Sequence, residues 1–181
     1  MHVEESDWVR WKRILIALGI SLGLAILLNW AILYLFSQKS AARAEHSLVG
    51  IILLMVYVSR FVGTQETRLG AVSFFLLALI PCYLGTVFPD LDITILGLGA
   101  HRNPLFHSSL SFFVLLWLVR RQSVILQVLV LGYGIGLASH LLWDVVYYGN
   151  VQWLSGGKLG RLWLGANALV CLVPLMVTSQ R

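Results

Sequence analysis

The sequence predicts an all-α fold, a polytopic transmembrane helical bundle with about six spans. Of the 181 residues, 59% are hydrophobic and only 12% are charged, and the mean hydropathy is +0.84. A soluble domain usually has roughly a quarter of its residues charged. The apolar residues also fall in long blocks, and a transmembrane helix needs about 20 of them in succession. Both observations predict one membrane domain without a separate soluble domain.

Six apolar blocks are candidate spans. They cover residues 14–36, 48–63, 70–88, 105–119, 124–148 and 162–177. The first, third and fifth blocks are long enough to cross a bilayer unaided, because a span needs roughly 17–25 apolar residues. The other three are shorter, so they need flanking residues or neighbouring helices to complete the crossing.

The first block follows a basic run formed by Arg10, Lys12 and Arg13. A cleaved signal peptide also begins in this way, but its apolar region is only about 7–15 residues long. Because the block at 14–36 is longer, residues 1–43 are predicted to form a retained signal-anchor span. Residues 44–181 then form a five-span domain.

The formal net charge is +5, and the positions of the basic residues indicate membrane lipids as partners and no nucleic acid. The Lys and Arg residues lie singly or in pairs at the ends of apolar blocks, where they contact lipid headgroups. No basic stripe with interleaved aromatic residues is present. Cys82 and Cys171 lie inside apolar blocks and belong to no CxxC motif, so they are interpreted as small buried hydrophobic residues.

Three polar clusters interrupt the apolar sequence. The first holds Asp90 and Asp92, where Pro89 should end the third helix and leave both carboxylates on an exposed turn. The second begins at His101 and Arg102. In it Asn103 is predicted to cap the fourth span, which places Pro104 at the first helical position and His107 in the first turn.

The third cluster is the pair His140 and Asp144, which are four residues apart and share one helix face. The same stripe continues backwards through Gly136 and Gly132. Glycines allow a neighbouring helix to approach closely, so the pair is predicted to point into the bundle. A weaker fourth element is His46, with Gly50 one turn later.

In a six-span protein, the crossing count brings all four regions to one membrane face. The set comprises His46, Asp90, Asp92, His101, His107, His140 and Asp144. Imidazole nitrogens and carboxylate oxygens suit a divalent metal ion, zinc ahead of manganese or iron. Asp90, Asp92 and His101, each taken alone, are better explained as solvated loop residues. The pair His140 and Asp144 could instead form a structural hydrogen bond. Ionisable groups inside a membrane are nevertheless costly and usually functional.

These motifs, in this order, resemble the membrane-bound metal-dependent hydrolase family, which includes small, DNA-damage-regulated inner-membrane proteins. The motifs are His46-x-x-x-Gly50, Pro89-Asp90-x-Asp92, His101-Arg102…His107-Ser108 and Ser139-His140-x-x-x-Asp144. The resemblance runs from about Ala44 to the C-terminus. One departure is the second motif: the family usually has His-Arg-Gly-x-Thr-His-Ser, and residues 103–106 here replace its middle and add one residue.

The resemblance implies a hydrolase at the bacterial inner membrane, since the family is distantly similar to zinc-dependent phospholipase C. The implied substrate is a phosphoester such as a lipid headgroup. The metal ligands would be His46, Asp90, His107, His140 and Asp144. Asp92, His101 and Arg102 would serve catalysis, with Arg102 holding a phosphate oxygen through paired N–H donors. An interfacial headgroup contact explains Arg102 equally well.

Another class of function fits the same composition. A non-catalytic accessory subunit or assembly factor would use the His/Asp cluster structurally and would bind another membrane protein. A metal or proton carrier is disfavoured, because the remaining spans offer no polar track across the membrane.

Overall fold

The computed structural model describes residues 41–59, 68–154 and 157–178. Within these ranges the chain is mostly helical and contains no β-strand, which confirms the all-α prediction. The first apolar block, and all but the last three residues of the predicted signal-anchor segment 1–43, lie outside the described ranges.

The described ranges contain six α-helices and two short 3-10 turns. The helices are α1 (Ala41–Tyr57), α2 (Arg68–Val87), α3 (Leu91–Leu96), α4 (Leu110–Val119), α5 (Val124–Tyr147) and α6 (Gly157–Thr178). The 3-10 turns, Phe88–Asp90 and Leu98–Ala100, lie on either side of α3.

Helix α5 is the central element and packs against α1, α2, α4 and α6. Of its apolar stretch, 72% is buried. Ser123 caps its first turn by accepting a hydrogen bond from the Leu126 N–H at 3.5 Å. At its other end, the N–H groups of Tyr148 and Gly149 both donate to the carbonyl of Asp144. Gly149 has φ = +69°, a left-handed conformation that glycine adopts without steric cost and that commonly ends helices.

Helices α2 and α5 approach each other through glycines. A Cβ atom added at Gly136 would overlap the carbonyl oxygen of Cys82, and one added at Gly132 would lie 2.5 Å from that of Ala78. The predicted stripe through Gly132, Gly136, His140 and Asp144 therefore does face a neighbouring helix.

Two helical stretches within the described residues are long and apolar enough to cross a membrane, Gly70–Leu96 and Val124–Tyr147. This is fewer than the six spans predicted. The prediction is wrong for the block at 105–119, because α4 contains only 10 residues. At 1.5 Å per residue it is about 15 Å long, half of the roughly 30 Å hydrocarbon thickness.

The block is shortened because Asn103 starts a turn instead of capping a helix. Its side-chain oxygen accepts from the Leu105 N–H at 2.9 Å, and its carbonyl accepts from the His107 N–H at 2.9 Å. Helix α4 begins only after Ser109. His107 thus lies in a turn that precedes the helix, which corrects its predicted place in the first helical turn.

The predicted helix end before Pro89 is confirmed, since α2 stops at Val87. The expectation of two exposed aspartates is wrong. The chain continues through a 3-10 turn into α3, which ends at Gly97 with φ = +87°. The segment that follows α3 covers Asp92, which is 0% exposed, and Asp90 is also partly buried.

Large apolar side chains are exposed along one side of α2. Val72, Leu76, Ile80 and Leu84, each four residues after the last, are 54–70% exposed. A continuous apolar surface of this kind requires apolar surroundings or a partner. Together with the two long apolar helices, it supports association with a membrane.

Candidate metal centre

The structure brings together all seven imidazole and carboxylate side chains singled out from the sequence. They form three overlapping groups, and in each group one ligand atom per residue lies within 4.8 Å of the others. The groups are His46–His140–Asp144, Asp90–His107–His140 and Asp92–His101–His107. We call the seven side chains the cluster. The five proposed ligands within it, His46, Asp90, His107, His140 and Asp144, are the candidate metal centre.

His140 is oriented by the backbone of α2. Its Nδ1 donates a hydrogen bond to the carbonyl oxygen of Thr86 at 2.7 Å, across the close contact that Gly136 permits. A neutral imidazole that donates through Nδ1 has a free lone pair on Nε2. This Nε2 atom is buried and makes no hydrogen bond to any described residue. It lies 3.5 Å from Asp144 Oδ2 and 4.0 Å from Asp90 Oδ1.

His107 lies between two carboxylates. Its Nδ1 is 3.4 Å from Asp92 Oδ2 and its Nε2 is 3.4 Å from Asp144 Oδ2. These separations exceed the roughly 2.7–2.9 Å of a charge-assisted hydrogen bond. Both ring nitrogens and Asp144 Oδ2 are buried without a hydrogen bond in the described part of the chain.

Asp92 lies behind His107 and holds the segment that carries it. One carboxylate oxygen accepts from the backbone N–H of Asn103 at 3.0 Å, and the other is 3.3 Å from Nδ1 of His101. The side chain of His101 is 32% exposed, so this histidine lies at the open edge of the cluster. A carboxylate in this place can fix the orientation and tautomer of a metal-binding histidine.

His46 stacks on His140, with ring centroids 4.0 Å apart and an angle of 10° between the rings. Its Nδ1 is buried and has no hydrogen-bond partner among the described residues. Two protonated imidazoles would repel each other at this separation. The stack therefore disfavours the state in which both rings are charged, and a neutral imidazole is the form that binds metal ions.

The donor set fits a divalent ion. Zinc binds imidazole nitrogen and carboxylate oxygen at about 2.0–2.2 Å, so two ligands on a tetrahedral ion lie about 3.3–3.5 Å apart. The Asp144 Oδ2 atom is 3.4 Å from Nε2 of His107 and 3.5 Å from Nε2 of His140. Asp144 Oδ2 thus lies at the spacing of two ligands on one ion from each of the two imidazole nitrogens, and all three atoms are buried without a hydrogen bond to a described residue.

A family model described as "Domain of unknown function (DUF5942)" matches residues 69–181, well over half of the chain. The chain belongs to the DUF5942 family. No curated protein and no solved structure matches the chain. The DUF5942 match includes α3, α4, α5, α6 and nearly all of α2, together with every candidate residue except His46.

Arg102 lies at the edge of the cluster, in the DUF5942 segment between α3 and α4. Its guanidinium stacks on the ring of Tyr148 at 4.2 Å, and its backbone has φ = +64°. The carbonyl of Arg102 accepts from the Gln152 N–H, which joins this segment to the residues that follow α5. Its Nε is buried without a hydrogen bond to any described residue. The contact of Arg102 with a phosphate stays a prediction.

The sequence did not reveal two contributions to the candidate metal centre. Thr86 orients His140 through its backbone carbonyl, which a search for polar side chains cannot detect. Asn103 anchors the turn and donates its N–H to Asp92, although the sequence indicated only a helix cap. The sole available signal for Thr86 was the glycine stripe, which predicts close backbone contact opposite His140.

Proposed function

We propose that this protein is a multi-pass protein of the bacterial inner membrane and a metal-dependent hydrolase of phosphoesters such as lipid headgroups. Its divalent ion, zinc ahead of manganese or iron, would bind to Asp90, His107, His140 and Asp144, with His46 beside them. The observation that carries the proposal is that Asp144 Oδ2 lies 3.4 Å from His107 Nε2 and 3.5 Å from His140 Nε2, all three atoms being buried without a hydrogen bond to a described residue.

A bound ion of this kind would lower the pKa of a coordinated water to about 7 and polarise a phosphoryl oxygen. The chain's own residues would orient the ligands and move protons. Thr86 holds His140 and Asp92 stands behind His107. His101, partly exposed and 3.3 Å from Asp92, would transfer protons at the edge of the cluster. Arg102 would supply paired N–H donors to a phosphate.

An amphiphilic substrate is supported by a cavity beside the segment that carries His107, lined by Leu105 and Ser108 of that segment. The cavity has a volume of about 460 Å³, and its apolar lining includes Leu105, Leu110, Phe113 and Trp163. Ligand pockets usually measure roughly 300–1,000 Å³. A lipid with its phosphate at the cluster could place part of an acyl chain in this cavity.

The full chain, purified in detergent and loaded with zinc, is expected to release phosphate or headgroup from phospholipid in mixed micelles. Arg102→Ala is expected to lower kcat about 100-fold, the usual cost of removing one donor to a developing negative charge. Arg120→Ala is the matched control, because Arg120 also stacks on an aromatic ring, that of Trp117, but lies at the C-terminal end of α4, the end opposite the segment that carries His107. Headgroup release measured for the three proteins decides the role of Arg102.

A second function is favoured by the depth of burial, because His107, His140 and Asp144 are at most 2% exposed. A cluster so enclosed also suits a non-catalytic accessory subunit or assembly factor with a structural metal and a membrane-protein partner. Stoichiometric metal without turnover of any phosphoester would exclude the enzyme and favour this alternative. Equal kcat for Arg102→Ala and wild type would exclude the catalytic role of Arg102 and leave the rest of the proposal standing.

A further inference from the structure

Helix α6 provides none of the candidate metal ligands: residues 157–178 include no histidine, aspartate or glutamate, and Cys171 packs in the hydrophobic core. It nevertheless makes three hydrogen bonds to the segment that carries His107. Trp163 donates its indole N–H to the carbonyl of His107 at 3.0 Å. Asn167 Oδ1 accepts from both the backbone N–H and the hydroxyl of Ser109, each at 2.9 Å.

The two α6 side chains are coupled to each other. The amide nitrogen of Asn167 donates to the carbonyl of Trp163, one turn earlier, at 2.9 Å. This bond fixes the amide orientation, so that Oδ1 faces Ser109. The two residues therefore hold the segment on both sides of Ser108, through His107 and through Ser109.

These bonds matter because the residues around His107 form no helix. Inside the segment, His107 has only the turn bond from its N–H to the Asn103 carbonyl. Its imidazole must nevertheless stay 3.4 Å from Asp144, a residue of α5. On one side Asp92 holds Asn103, and on the other α6 holds His107 and Ser109. The distance between His107 and Asp144 thus depends on an anchor outside the ligand set.

We propose that Trp163 and Asn167 are positioning residues of the metal centre, which act on the ion only through the backbone around His107. This inference rests on the proposed metal site. Removing outer partners of metal ligands typically lowers metal affinity by roughly 10–100-fold. We expect Trp163→Phe, which keeps an aromatic ring but lacks the N–H donor, to weaken zinc binding about tenfold.

The experiment uses the full chain in detergent and two measurements. Zinc affinity is measured by competition with a chromophoric chelator, and the absorption spectrum of bound cobalt reports the ligand geometry. Asn167→Leu is expected to weaken zinc binding and alter the cobalt spectrum, whereas Asn167→Asp keeps the oxygen acceptor and restores much of the affinity. Trp117→Phe is the control, since Trp117 is 61% exposed on α4.

The outcomes separate this inference from the proposed function. If wild type binds zinc and both Trp163→Phe and Asn167→Leu bind it equally well, the positioning role is overturned and the metal site stands. Weaker binding with an unchanged cobalt spectrum and a matching loss of thermal stability would also overturn it, because the residues would then be merely structural. A wild type that binds no zinc or cobalt overturns the metal site, and the inference with it.

Discussion

Protein purified in detergent without a chelator is expected to carry one or two divalent ions per chain, and both His140→Ala and Asp144→Ala are expected to lose them. Asp144 Oδ2 lies between the two Nε2 atoms of His107 and His140 at 3.4 and 3.5 Å. Removing His140 or Asp144 takes away one of the metal-ligand atoms in this group. The loss in affinity should exceed the roughly 10–100-fold that outer partners contribute. Elemental analysis of the three proteins measures it directly.

Glu45→Ala is the matched control for this experiment. Glu45 is an exposed carboxylate on α1, directly before His46, so its removal changes the local charge without removing a buried donor. Its metal content should equal that of wild type. A metal-free wild type would contradict the proposed centre and leave a structural cluster. Full metal content in both ligand variants would show that the ion binds elsewhere.

The physical reason to expect an ion is the cost of leaving these donors unpaired. A buried polar group without a hydrogen bond costs about 1–3 kcal/mol. Such atoms include His107 Nε2, His140 Nε2 and Asp144 Oδ2, and they lie next to one another. An ion bound among them would compensate all three at once, whereas one hydrogen bond formed between Asp144 and either histidine would leave the other histidine nitrogen unpaired.

The helical part of the site could be predicted from the sequence because the period of an α-helix is fixed. Two residues four apart share a face, so His140 and Asp144 had to lie together once residues 124–148 were helical. The glycines on the same stripe then indicated which face meets another helix. The observed contacts of Gly132 and Gly136 with the backbone of α2 follow that prediction.

The non-helical part could not be predicted, because its conformation depends on residues distant in the sequence. An asparagine before a proline satisfies its side chain equally well as a helix cap or in a turn. The contact of the Asn103 N–H with Asp92, eleven residues earlier, belongs to the turn and cannot be seen locally. The predicted number of spans was wrong for the same reason. The apolar block begins at residue 105, but the helix begins only at Leu110.

Replacing Gly136 by leucine is expected to damage the fold and the metal centre together. A side chain at this position would overlap the backbone carbonyl of Cys82, and backbone cannot move aside as a flexible side chain can. Overpacking of this kind typically costs about 1–3 kcal/mol and occasionally more. Separation of α2 from α5 would also withdraw the Thr86 carbonyl from His140, which it now holds at 2.7 Å.

The measurements are the thermal unfolding midpoint in detergent and the metal content of the same preparation. Gly136→Ala should show the same two losses to a smaller degree, because its Cβ alone already overlaps Cys82. Gly165→Ala on α6 is the matched control, since its Cβ would lie 3.8 Å from the nearest atom, a methyl group of Val145. Alanine is favoured over glycine inside a helix by about 0.5–1 kcal/mol, so this control should be as stable as wild type or more stable.

An unchanged midpoint and unchanged metal content in Gly136→Leu would refute the close contact as the support of His140. A lowered midpoint with full metal content would show that the contact stabilises the bundle but does not position the ligand.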